Sequence, residues 1–284
     1  MTKEELKERN PWAKFLDKIK DNLELYAEGG KQCYEEDLNS LEEFNNLLDK
    51  KSDESKKGKY QLELPPCPWD GNPLEANVIF LTLNPGYVEK FNKGFSRLVS
   101  CNDDLNARIL DFRKKTLRLE ADLRPEYDCK QEPMTTFDAV EIMDDMYWTN
   151  KFKSLYKALE IDQNEEGKMD FRKKVSILQY IAYTSEKFKG PEKETFKSQG
   201  FTKELIKFRL ENATSENLPL FVIMRSRDRW IKLLGELITD YPSHFIFRKQ
   251  VTIKGNLQDP RGQFITENSF SKDDDWARII NALK

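Results

Sequence analysis

Asn84-Pro85-Gly86 is the segment of this chain whose residue types are best suited to chemistry. Pro85 fixes its own φ and removes a backbone donor, and Gly86 permits a positive φ and close approach of another group. Asn84 then offers an amide oxygen and an NH2 group at a rigid corner. Taken alone, the tripeptide reads first as a strand-ending turn, for which Asn, Pro and Gly are common. A second segment is Arg225-Ser226-Arg227-Asp228-Arg229-Trp230. Free amides at a helix start, with three arginines, suit phosphate. A capped helix with solvated arginines accounts for the same residues. Asp259-Pro260-Arg261-Gly262 reads as a turn in which Arg261 can meet phosphate. Phe95, in Gly94-Phe95-Ser96, can stack on a planar ligand or fill a core.

Other chemistries are poorly supplied. The chain has one histidine, His244, and four cysteines at 33, 67, 101 and 129 with no CxxC pair. A zinc site is not expected from that set, and no metal is assigned. The cysteines read as reduced and unpaired, and His244 reads as structural. No Gly-rich phosphate loop or dinucleotide fingerprint occurs, and no cofactor is expected. The net charge is −3 over 284 residues. Residues 1–60 hold 12 basic and 15 acidic side chains, and the remainder is balanced at 35 of each. A balanced domain can still carry a basic face. No run approaches a membrane span of ~20 apolar residues, and the first residues lack the apolar stretch of a signal peptide. The expectation is a soluble, cytoplasmic protein.

These segments need elements to hold them. Apolar residues at helical spacing predict one or two amphipathic helices over 4–28 and another over 38–49. The polar run 50–59 reads as a linker. Val78-Ile79-Phe80-Leu81-Thr82-Leu83 is a nearly continuous apolar run, as in a strand buried on both faces. Further strands are expected at 175–183, 220–224 and 244–248. Helices are expected near 103–120, 135–160, 202–212, 228–239 and 273–283. This alternation predicts an α/β fold: an open, mostly parallel sheet with helices on both faces. Its domains would be an N-terminal helical segment and linker at 1–60 and an α/β domain at 61–284. Ligands bind at the carboxyl ends of such strands, which points to Asn84-Pro85-Gly86-Tyr87, Tyr183-Thr184-Ser185, Arg225-Ser226-Arg227 and the segment after 248.

Taken in order, these segments resemble the uracil-DNA-glycosylase superfamily. Val78 to Gly86 resembles its first active-site motif, in the Asn-Pro-Gly form of the mismatch and thymine glycosylases. Met146-Tyr147-Trp148 with Lys151-Phe152 resembles an aromatic-basic helix start. Ile181 to Phe188 resembles a Pro-Tyr-His-Ser-Lys-Lys-Phe segment, with Ala182 and Thr184 in place of Pro and His. Val222 to Trp230 resembles a strand-Arg-helix-Trp segment. Phe264-Ile265-Thr266-Glu267-Asn268 sits where the final loop motif belongs, with Thr266-Glu267 in place of Ser-Pro. The likeness spans about residues 64–284.

The resemblance implies a base-flipping, monofunctional DNA glycosylase needing no metal. Asn84 would position water. Gly86, Tyr87, Phe95, Gln179 and Tyr183 would hold the base, and Arg225, Arg227, Arg261, Thr266 and Asn268 the DNA phosphates. The strict uracil enzymes carry a tyrosine at the position of Gly86, where it crowds C5. Glycine there implies a larger base: a mismatched thymine or modified pyrimidine in double-stranded DNA, in repair or anti-phage defence. A non-catalytic nucleic-acid or nucleotide-binding module on the same fold is the alternative. Residues 1–60 are left as a surface for a protein partner.

Overall fold

The computed structural model describes residues 1–20, 22–86, 103–120, 151–161, 165–190, 196–214, 218–253, 256–258, 265–270 and 273–284. Tyr87, Phe95, Cys101, Cys129, Arg261, Phe264 and the Met146-Tyr147-Trp148 segment lie outside the described residues.

The chain is a mixed α/β protein. Its helices are α1 (Lys3–Glu8), α2 (Pro11–Lys18), α3 (Glu35–Asp49), α4 (Asp53–Lys56), α5 (Asp103–Leu117), α6 (Glu165–Lys174), α7 (Lys197–Glu211), α8 (Arg227–Leu234), α9 (Glu236–Asp240) and α10 (Asp273–Leu283). Residues 151–158 are also helical. Five strands, β1 (Trp69–Asp70), β2 (Val78–Thr82), β3 (Val175–Gln179), β4 (Leu220–Ile223) and β5 (Phe245–Phe247), form one sheet in the order β1-β3-β2-β4-β5. β2 pairs in parallel with β4, Val78 opposite Leu220, and β4 pairs in parallel with β5, Ile223 opposite Phe247. All residues of β2, β3 and β4 are buried. That is why β2 and β4 read as nearly unbroken apolar runs instead of alternating ones, while β3 buries Ser176 and Gln179 among its apolar residues.

The run over 4–28 forms two helices, one of the two expected forms, because Pro11 takes the first position of α2 and Asn10 caps it, Oδ1 accepting from Trp12 N at 3.0 Å. Pro and an Asx cap together restart a helix. Several elements differ from expectation. Helix ends at Lys18, and Leu23 and Leu25 are buried without it. α3 starts at Glu35, with no side-chain cap from Tyr34. The polar stretch at 50–59 contains α4. A short antiparallel hairpin, Val251–Ile253 with Asn256–Gln258, was not foreseen. His244 sits in a 3-10 turn before β5, with Nδ1 2.9 Å from Pro219 O.

The chain divides into two compact units: Met1–Asp70, Leu83–Ala121 and Gln179–Phe208 in one, Gly71–Thr82, Asp122–Leu178 and Arg209–Lys284 in the other. Neither unit follows the boundary placed at residue 60. In the first, Leu6, Trp12, Phe15, Leu16 and Leu41 are buried. Trp12, Tyr60 and Phe196 each meet the Tyr183 ring edge-on, with centroids 5.9, 6.3 and 6.0 Å away. In the second, alternate strand residues Val78, Phe80, Val175, Ile177, Leu220, Val222 and Ile246 share a core with Phe152, Leu155, Ile279, Ile280 and Leu283. The period of two puts these strand residues on one sheet face, covered by helix 151–158 and α10.

Candidate functional site

The chain passes from β2 to β3 on one side of the sheet and then to β4 on the other, so the strand order reverses at β2. At such reversals ligands bind beyond the carboxyl ends of the strands. The segment leaving β2, Leu83-Asn84-Pro85-Gly86, belongs to the first unit, and the segment leaving β4, Met224-Arg225-Ser226-Arg227, belongs to the second.

In the first unit, Leu83-to-Gly86 runs beside 181–185. Ile181 N donates to Leu83 O at 2.8 Å, Ser185 N donates to Pro85 O at 3.3 Å, and Gly86 bridges Ser185 in parallel sense. The Asn84 side chain crosses this seam. Its Nδ2 donates to Pro85 O at 3.0 Å, to Tyr183 O at 3.3 Å and to Ser185 Oγ at 2.9 Å. Two of these acceptors are carbonyls, which cannot donate, so the atom facing them is the NH2 group and its orientation is fixed. Ser185 is buried and passes its own hydroxyl proton toward Lys187 O at 3.3 Å. Among the described residues nothing donates to Asn84 Oδ1. The half-buried side chain therefore presents one oriented acceptor at a braced corner.

Gly86 does not use the conformational freedom expected of it. Its φ lies outside the left-handed region occupied by Gly29, Gly71 and Gly235. Among the described residues, no atom lies within 4 Å of where its Cβ would sit. Neither backbone strain nor packing among the described residues accounts for glycine here.

Tyr183 lies differently from the expected base-reading role. Its ring is 2% exposed, and its hydroxyl donates to Asp37 Oδ2 at 2.8 Å while accepting from Tyr34 N at 3.2 Å. Only its carbonyl faces Asn84. Burial and the neighbouring Asp37 push the phenol well above its ordinary pKa, so it stays protonated. Gln179 is also buried, with its backbone N bonded to Pro68 O at 2.8 Å. Asp37 is fully buried and takes a second bond from Ser198 N at 3.2 Å. Burial raises its pKa, and the bonds from Ser198 and Tyr183 offset part of that. Asp37 is a site residue that the sequence reading does not include, and Ser185 enters it only as part of the strand-end segment Tyr183-Thr184-Ser185. The available signal for Asp37 was a carboxylate inside the α3 apolar stripe, four residues before Leu41.

In the second unit, cations gather where β4 and β5 end. Arg225 follows β4, and Arg248 follows β5 with its N bonded to Ile223 O at 3.0 Å. Partial burial, then Arg248 and Arg225, hold the Lys151 ammonium below its ordinary pKa. Arg227 opens α8 with its guanidinium 4.4 Å from the centroid of Phe247. Ser226 between the arginines has φ 53° and ψ 50°, a left-handed conformation uncommon for serine, and makes no side-chain cap. Trp230 anchors α8, its Nε1 donating to Thr82 O at 3.0 Å. Thr266 is engaged locally, its Oγ1 3.1 Å from Ser269 Oγ, and Asn268 is exposed. Lys151 and Arg248 join Arg225 and Arg227 only through the fold.

No helix among the described residues is long and apolar enough to cross a membrane. Comparison of the chain with protein-family models, with curated proteins and with solved structures finds no match.

Proposed function

We propose that this protein is a monofunctional DNA glycosylase that hydrolyses the N-glycosidic bond of a flipped, C5-substituted or mismatched pyrimidine. The observation that carries this reading is the Asn84 amide. Its nitrogen faces Pro85 O, Tyr183 O and Ser185 Oγ, which among the described residues leaves Oδ1 as a fixed acceptor for a water hydrogen. The water oxygen bonds to C1′ of the sugar, the C1′–N bond breaks, and its electron pair leaves on the base. The water proton passes to solvent or to the departing base. An amide is too weak a base to take that proton, so its contribution is placement of the nucleophile. The space at Gly86, clear of every described atom within 4 Å of a built Cβ, supports a base that carries a C5 substituent. Arg225 and Arg227, with Lys151 and Arg248 adding positive charge nearby, supply donors suited to DNA phosphates. Repair and anti-phage defence are the settings in which such bases are removed.

The test is abasic-site formation on duplexes carrying uracil, a thymine mismatch or glycosylated hydroxymethylcytosine, read as alkali-labile strand breaks. Wild type should act on at least one of the larger bases. Asn84→Ala should lose at least about 100-fold in rate while keeping DNA affinity. Gly86→Tyr, which meets no described atom at its Cβ, should fold and lose the larger bases first. Activity confined to plain uracil would remove the substrate proposal. Salt-sensitive DNA binding without base release from any duplex would favour the binding-module reading.

A further inference from the structure

Residues 181–187 have two different neighbours within the first unit. On one side lies the Asn84 turn: Ile181 N and Ser185 N donate to it, and Tyr183 O accepts from Asn84 Nδ2 at 3.3 Å. On the other side lies the stretch 57–67. Cys67 N donates to Ala182 O, Gln61 N donates to Thr184 O, and Lys187 N donates to Lys57 O, each at 2.8 Å. Successive carbonyls therefore point to opposite sides, as the period of two in extended chain requires. The charged flank repeats the pairing: Lys187 with Glu54, and Lys57 with Glu186 at 3.6 Å. The Tyr183 side chain leaves this strip and is held at its tip by Asp37 Oδ2 at 2.8 Å and Tyr34 N at 3.2 Å.

A tyrosine held both at its hydroxyl and along its backbone has little freedom to shift its carbonyl. That carbonyl is one of the acceptors that orient Asn84. Asp37 is an odd choice for bulk stability, because a fully buried carboxylate is costly to desolvate and an apolar residue of similar volume often serves better. Buried polar bonds do specify one geometry.

We propose that residues 34–67 are a built-in brace for the Asn84 amide, with Asp37 a positioning residue that acts through Tyr183. The proposal rests on the reading of Asn84 as the water-placing group, and it names what sets that group's orientation. Under it, the N-terminal region contributes to the site from within the same chain.

The test uses the full chain with 15N-labelled asparagine, following water exchange of side-chain amide hydrogens well below the melting temperature. In wild type the Asn84 amide should be protected. Asp37→Asn and Tyr183→Phe should each speed its exchange by about tenfold or more. The Asn10 amide, buried and bonded to Leu117 O at 2.7 Å in the same unit, serves as control and should not change. Unchanged Asn84 exchange in both variants overturns the proposal. Equal loosening of Asn10 also overturns it, since that is general destabilisation. Tyr183→Phe removes a single oxygen and keeps the test open if Asp37→Asn does not fold. Where base release is measurable, kcat should fall in both variants with KM nearly unchanged. If wild type releases no base, the glycosylase reading fails while the exchange measurement still decides the brace.

Discussion

Burying a carboxylate costs several kcal/mol unless donors compensate it, and Asp37 is 0% exposed. Tyr183 and Ser198 supply donors, yet burial dominates and the folded-state pKa stands above the ordinary 3.8. The sign of the pH dependence follows. Between 3.8 and the folded value, the folded state binds more protons than the unfolded one, so stability falls as pH rises. Asp37 then contributes most below its unfolded pKa and loses that contribution as pH passes its folded value. Asp37→Asn cannot titrate. The difference in denaturation midpoint, wild type minus Asp37→Asn, should therefore decrease as pH is raised from about 4 and then level off. A difference that grows with pH would mean that the ionised form is the favoured partner of Tyr183. At this scale the sequence marked a corner at Asn84 through Pro85 and Gly86, and the structure places the Asn84 side chain across the seam to 181–185. It misdirected on Tyr183: a tyrosine at a strand end reads the same whether its ring turns outward or into an aromatic core.

Among the elements, the long buried strands were the most legible. Continuous apolar runs at 78–82 and 220–223 announce burial on both faces. Residues 181–187 were less legible, because their partners are backbone groups from far along the chain. Arg209 shows another long-range tie. Near the end of α7, its guanidinium donates to Leu74 O and, at 2.7 Å, to Ala76 O just before β2. It is 6% exposed, and burial lowers its pKa to about 10. It thus clasps the loop that feeds the central strand. Arg209→Met keeps much of the volume but leaves two buried carbonyls without their donor. It should cost about 2–4 kcal/mol in urea denaturation. A loss below about 0.5 kcal/mol, the range of ordinary surface changes, would show that water replaces the clasp.

For the whole molecule, the N-terminal region is the main departure from the sequence reading. A polar run at 50–59 suggested a linker, but Leu6, Trp12, Phe15 and Leu16 are buried in the same unit as Tyr183 and Phe196. Removing residues 1–56 would uncover the aromatic cluster around Tyr183. The shortened chain should be insoluble or lack a cooperative thermal transition, whereas a separable N-terminal segment would leave the melting temperature nearly unchanged. The sequence by itself determined the α/β class, the parallel central strands and the rigid corner at Asn84, because periodicity, Pro and Gly act locally. Only the tertiary structure decided which way the Asn84 amide points, what Tyr183 and Asp37 do, and that Lys151 and Arg248 join Arg225. Those facts depend on hydrogen bonds and burial between residues far apart in the chain, and no local pattern encodes them.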